Sequence, residues 1–216
     1  MGKYENGAAS KHHIVNTAAR LFYENGYDET GMDDISRAAH MRRSSIYYHF
    51  KSKEQILDQI IVDMIRKNEL IAEKYCDVPE YLFTLAMAIL WQQFLYDERF
   101  RRLQLQWAKN NPMYTGNKQA FPVHLLCYQR SANRKLEVEQ IRELSAASAY
   151  GLVVYIVKLA GERYDTFTAE ELVRHCMTNI GRLYHLEEDI VEHTWNDVLP
   201  YIRALPLEDL KYWKPE

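Results

Sequence analysis

The sequence predicts an all-α protein: an N-terminal three-helix head containing a helix-turn-helix, joined by a continuous helix to an all-helical body. Three observations lead there. Glycine and proline are scarce, 8 and 6 among 216 residues, whereas sandwiches and barrels need many turns. Apolar residues recur at three- and four-residue spacing along most of the chain. Ser52-Lys53-Glu54-Gln55 and Thr168-Ala169-Glu170-Glu171 each read as a capping box, in which a hydroxyl and a carboxylate or amide satisfy orphan N–H groups at a helix start.

Taken in order, Ser10 is placed to cap a first helix carrying Ile14, Ala18, Leu21 and Phe22 on one face, and Asn25-Gly26 stops it. A short second helix spans Met32 to Ala39, with Ile35 and Ala39 inward. After a tight turn, a third covers Arg43 to Phe50. The box at Ser52 opens a fourth, periodic through Ile56, Ile60 and Met64 toward Tyr75, which Asp77-Val78-Pro79 breaks. One helix is expected from about Glu80 to Lys109, ended by Asn110-Asn111-Pro112, and a bent one from Thr115 to Lys135, interrupted at Pro122. A long helix from Leu136 to Arg163 follows, then one from the second box to Tyr184, then a last from Glu187 to Leu199 with a proline-punctuated tail. No linker separates head from body. The expected division is 1–54 and 55–216, inside the fourth helix.

The net charge of −3 does not mark the whole chain as a nucleic-acid binder, but its distribution does. From Arg37 to Lys53 there are five cations and no acid, together with His40 and His49. The run is interleaved with Ser44, Ser45, Tyr47 and Tyr48, residue types that suit phosphate contact. The three cysteines are far apart and fit no zinc spacing, the first ten residues hold no apolar signal segment, and apolar runs such as Leu152 to Val157 are too short to span a membrane. A reducing, cytoplasmic location is expected.

Two short helices with a tight turn between them place the second in the major groove of DNA. On a helical wheel Ile46 and Phe50 fall together and face the head's interior, while Ser44, Ser45, Tyr47 and Tyr48 fall on the other side. Small Ser44 and Ser45 allow close approach to base edges, the tyrosines suit phosphates and thymine methyls, and Arg42 and Arg43 suit guanine edges or phosphates. Lys53 stands in the first turn of the fourth helix, whose N–H groups favour a phosphate.

These residues resemble the head of the TetR (tetracycline-repressor-like) family of bacterial transcription regulators. The resemblance rests on Ala18-Ala19, Leu21-Phe22, Asn25-Gly26-Tyr27, Thr30, Asp34-Ile35, Ala38-Ala39 and above all Ile46-Tyr47-Tyr48-His49-Phe50-Lys51-Ser52-Lys53-Glu54. It implies that Thr30, Ser44, Ser45, Tyr47, Tyr48, His49 and Lys53 contact DNA. The chain departs from the family in the turn, where His40, Met41 and Arg42 stand for the usual Gly, Val and Ser, and at Gly31, where a Thr usually caps the second helix.

Small and apolar residues occupy nearly every face of 145–154, as in a helix buried on two sides. The family pattern makes the last long helix pair a four-helix dimer interface, here with Ala146, Ala149, Tyr150, Val153, Val157, Cys176 and Ile180. Such a two-fold partner matches a palindromic operator in double-stranded DNA. The aromatic-rich middle offers Trp91, Phe94, Trp107, Phe121 and Tyr128 as the lining of a pocket for a small apolar or aromatic effector, each also readable as plain core. No cofactor, metal site or catalytic constellation is expected. The reading is a ligand-released homodimeric repressor. Its alternatives are an activator of the same fold, a helical protein-interaction module or a helical-bundle enzyme.

Overall fold

The computed structural model describes residues 3–110, 137–141, 166–183 and 186–215. Among these, the chain forms eight helices: α1 (Lys3–Glu24), α2 (Met32–Ala38), α3 (Arg43–His49), α4 (Lys53–Ala72), α5 (Pro79–Tyr96), α6 (Glu98–Asn110), α7 (Ala169–Leu183) and α8 (Glu188–Ala204). α1, α2 and α3 close around Ile14, Ala18, Phe22, Ile35 and Ile46, all wholly buried. α4 adds Ile56, Leu57 and Ile60 to the same cluster and carries it into the body, where it continues through Trp91, Phe94, Leu103, Leu172 and Val198. Thr84 to Phe94 are buried without a break, so α5 is the central helix of the body.

The helix starts and stops follow local chemistry. Ser52 accepts from the Gln55 N–H, and the Gln55 side chain reaches back to the Lys51 N–H at 2.8 Å, so the first box closes one residue wider than expected. In the second, the Thr168 N–H donates to Glu171 Oε2 at 2.8 Å and the Glu171 N–H to Thr168 Oγ1 at 3.2 Å. The Thr168 N–H and hydroxyl, both donating to the carboxylate, hold the Glu171 carboxyl below the usual range.

Four boundaries differ from expectation. α1 already begins at Lys3, so Ser10 lies inside the helix instead of capping it. α4 ends at Ala72, short of Tyr75. α8 runs through Pro200 to Ala204, because an exposed helix face tolerates one lost N–H. The single helix expected from 80 to 109 is two, parted at Asp97: its backbone leaves the helical region, and its Oδ1 accepts from the Phe100 N–H at 3.1 Å. A side chain that caps the next helix competes with continuing the last one.

Asp97 also organises the chain's end. Its Oδ2 accepts from the Tyr23 hydroxyl at 2.8 Å and from the Trp213 N–H at 2.9 Å. The Trp213 indole is buried, its ring centroid 5.5 Å from that of Tyr23 and 5.7 Å from that of Phe100. The tail after α8 is thus a strap that returns to α1 of the head.

Candidate nucleic-acid interface

α2 starts without a side-chain cap at Gly31; instead the Asp34 carboxylate folds back to accept the Gly31 N–H at 2.9 Å. α2 stops at a turn in which His40 takes φ 52°, the left-handed region. The turn is held by Met41 N–H donating to Ser36 O at 3.1 Å, and the Ser36 hydroxyl donating to Met41 O at 2.6 Å. His13 of α1 supports it by donating from Nε2 to Ala39 O at 3.1 Å. His40→Gly is expected to raise stability by about 0.5–1 kcal/mol, since the relieved strain exceeds glycine's added chain entropy. The midpoint of a urea melt reads it.

α3 sits as the wheel requires. Ile46 and Phe50 are buried; Ser44, Tyr48, Arg42 and Arg43 are exposed; Ser45, Tyr47 and His49 are half-buried. Tyr48 is 78% exposed and touches the His49 ring edge-on at 5.1 Å. Arg43 is steered by neighbours: it pairs with Asp33 of α2 at 3.0 Å and donates to the Tyr47 hydroxyl at 3.3 Å. Lys51 donates to Tyr47 O at 2.9 Å, which leaves its charge beside the same face.

Thr30 corrects the expectation. It is 1% exposed and its hydroxyl donates to Gly26 O at 2.7 Å, closing the turn after α1. Both its surface and its proton are used inside the head, so it is left out of the contact face.

Lys53 is held more elaborately than its position in the chain implies. Its Nζ donates to Tyr27 O at 2.7 Å and stands 4.1 Å above the Tyr27 ring. Tyr27 is itself buried; its hydroxyl donates to Glu54 Oε1 at 3.1 Å, and burial first, then the Glu54 charge, pushes its pKa well up. From the body, Gln106 of α6 accepts the Tyr27 N–H at 3.1 Å and donates to Asp28 at 3.0 Å. Sequence reasoning missed Tyr27 and Gln106 in this role. The only signal was Tyr27 inside the Asn-Gly-Tyr run.

Of the pocket candidates, Trp91 and Phe94 are wholly buried on α5, and the Trp107 indole donates to Asp58 of α4 at 3.1 Å, tying α6 to the connecting helix. Phe121 and Tyr128 lie outside the described residues. So do the interface candidates Ala146, Ala149, Tyr150, Val153 and Val157. Ile180 is half-buried on α7. Cys176 is half-buried on α7 and packs against the core cluster, where burial pushes the thiol's pKa up to about 12. The Trp91 indole N–H meets no nitrogen or oxygen acceptor among the described residues and faces the Cys176 thiol, a weak acceptor. Among the described residues no cluster of ligating side chains suits a metal ion, and no helix is long and apolar enough to cross a membrane.

Residues 14–60, which include α2 and α3 with parts of α1 and α4, match the family described as "Bacterial regulatory proteins, tetR family". The chain is 29% identical over 119 residues to the biofilm operon icaADBC HTH-type negative transcriptional regulator IcaR of Staphylococcus aureus (strain Newman), an alignment covering 50% of this chain and 58% of that one. The Staphylococcus epidermidis IcaR is 29% identical over 103 residues, covering 44% and 52%. The chain therefore spans little more than half the length of these relatives. Among solved structures, RolR in complex with resorcinol shares the fold with a TM-score of 0.58 at 14% identity, over 99% of this chain and all of that one. Native TylP of Streptomyces fradiae, a TetR regulator, does so with a TM-score of 0.51 at 16% identity, over 92% and 94%.

Proposed function

We propose that the chain, whose residues 14–60 match the TetR family, is a homodimeric transcriptional repressor which binds a palindromic operator through α3 and is released by a small apolar or aromatic effector. One observation carries the reading. α3 buries Ile46 and Phe50 in the head, leaves Ser44 and Tyr48 exposed with Ser45 and Tyr47 half-buried beside them, and carries exposed Arg42 and Arg43 at its start. Such a face matches the groove's mixture of phosphates, base edges and thymine methyls. That the relatives are negative regulators favours repression over activation.

The head is assigned to 1–54 and the body to 55–216, with α4 common to both. Trp107 on Asp58 and Gln106 on Tyr27 give α6 a grip on α4 and on the head. An effector that moves α6 would move the head with it. The buried Trp91 N–H, which meets only a weak acceptor among the described residues, suits a ligand hydroxyl, and the resorcinol complex of RolR is consistent with an aromatic effector. A site of action in the cytoplasm follows from a DNA target.

Two results test this reading. Lys53→Ala is expected to weaken operator binding about tenfold and to lower the slope of log K against log salt by about one, the signature of one lost phosphate contact. An unchanged slope would remove Lys53 from the interface. Sedimentation equilibrium at micromolar concentration is expected to give twice the chain mass, and a single-chain mass would overturn the dimer.

A further inference from the structure

A cleft of about 310 Å³ lies where α1, the second half of α4 and the C-terminal strap meet. It is separate from the α3 face and from the aromatic interior of α5. Its floor is apolar: Val15 of α1, Ile60 and Met64 of α4, and Trp213 of the strap. Leu70, 47% exposed, extends that surface to the rim. The rim is cationic on balance, with Arg66, Lys67 and Lys214 against one carboxylate, Asp63. Asp63 already accepts from Gln59 at 2.8 Å. Arg66 is paired with Glu69 and Glu73 on its own helix. Lys67 donates to Lys214 O at 3.4 Å, closing the wall between α4 and the strap. The exposed Lys214 ammonium therefore stands at the mouth beside an apolar floor.

We propose that this cleft is a binding site for an amphipathic anion, a molecule with an unbranched apolar body and a carboxylate head. Burying the body on Met64, Leu70 and Trp213 supplies the driving force, and Lys214 takes the carboxylate. The walls come from three separate segments, and Trp213 is fixed by its N–H bond to Asp97, so the cleft is built before a ligand arrives. The volume lies at the small end of the range for ligand pockets and suits a single short chain.

The test is calorimetric titration of the full chain with sodium decanoate below its micellar concentration. The wild type is expected to give a saturable isotherm with one site per chain. Leu70→Asp and Lys214→Glu alter exposed side chains and are each expected to weaken binding about tenfold, or 1.4 kcal/mol, with unchanged circular dichroism. Tyr48→Ala, on the α3 face, is expected to bind decanoate as the wild type does, which separates this site from the DNA reading. Decyltrimethylammonium, with the same chain and the opposite charge, is expected not to bind. The proposal is overturned by the absence of saturable binding, by binding that survives both cleft substitutions, or by equal binding of the cation.

Discussion

Asp97→Ala is expected to cost about 3–5 kcal/mol, because a buried carboxylate that accepts several hydrogen bonds is removed and its donors are left behind. For a chain of this size that corresponds to a fall in Tm of about 6–20 °C. The substitution strands three donors at once: the Tyr23 hydroxyl, the Phe100 N–H that begins α6, and the Trp213 N–H of the strap. Asn retains an acceptor oxygen but not the charge, so Asp97→Asn is expected to recover part of the loss. The same node predicts a pH dependence. Burial first, then the bond to Asp97, raises the pKa of Tyr23 from 10.0 to about 12. The folded state holds that proton more tightly than the unfolded one. Its contribution is therefore complete below pH 10 and is lost as pH rises through about 12. A Tyr23→Phe variant is expected to lack that alkaline step in urea-melt midpoints taken across this range.

Tyr48→Ala is expected to do the opposite: stability within about 0.5 kcal/mol of wild type, and operator affinity lowered ten- to a hundredfold, or about 1.4–2.8 kcal/mol. At 78% exposure the ring contributes little to the head's core, and it meets the His49 ring edge-on. A large aromatic held in water on a rigid helix places its contact area ready for a groove. Its loss therefore appears in binding and not in folding. Anisotropy titrations paired with urea melts on the same preparation separate the two. A parallel loss of stability and affinity would mean that Tyr48 supports the helix and does not touch DNA.

The head was legible because its signals are local. Ile46 and Phe50 are four apart on one short helix, and both are buried. His40 stands where the family usually has Gly, and it sits at φ 52°, a conformation that glycine takes cheaply. Thr30 was misread because a motif fixes a residue type and not its direction; only the fold turns its hydroxyl onto Gly26 O. Asp97 was invisible for a related reason. Apolar periodicity runs unbroken across 80–109, and a single side chain that caps α6 ends α5. The strap was also hidden. A tail with prolines and one tryptophan carries no periodic signal, and the bond joining Trp213 to Asp97 spans 116 residues. Lys53 was placed correctly in the first turn of α4, but the grip of Tyr27, and of Gln106 behind it, depends on contacts from outside that turn.

The central claim is that the outward face of α3 is the surface that meets DNA. Ser44→Glu tests it most directly, since the position is exposed on that face and an acid there repels phosphate without disturbing the core. Wild type and Ser44→Glu are titrated by fluorescence anisotropy onto duplex DNA from the region flanking the protein's own gene, at fixed salt. The account predicts saturable wild-type binding and a loss of at least about a hundredfold in the variant, with an unchanged melting curve. Equal affinity of the two would contradict it.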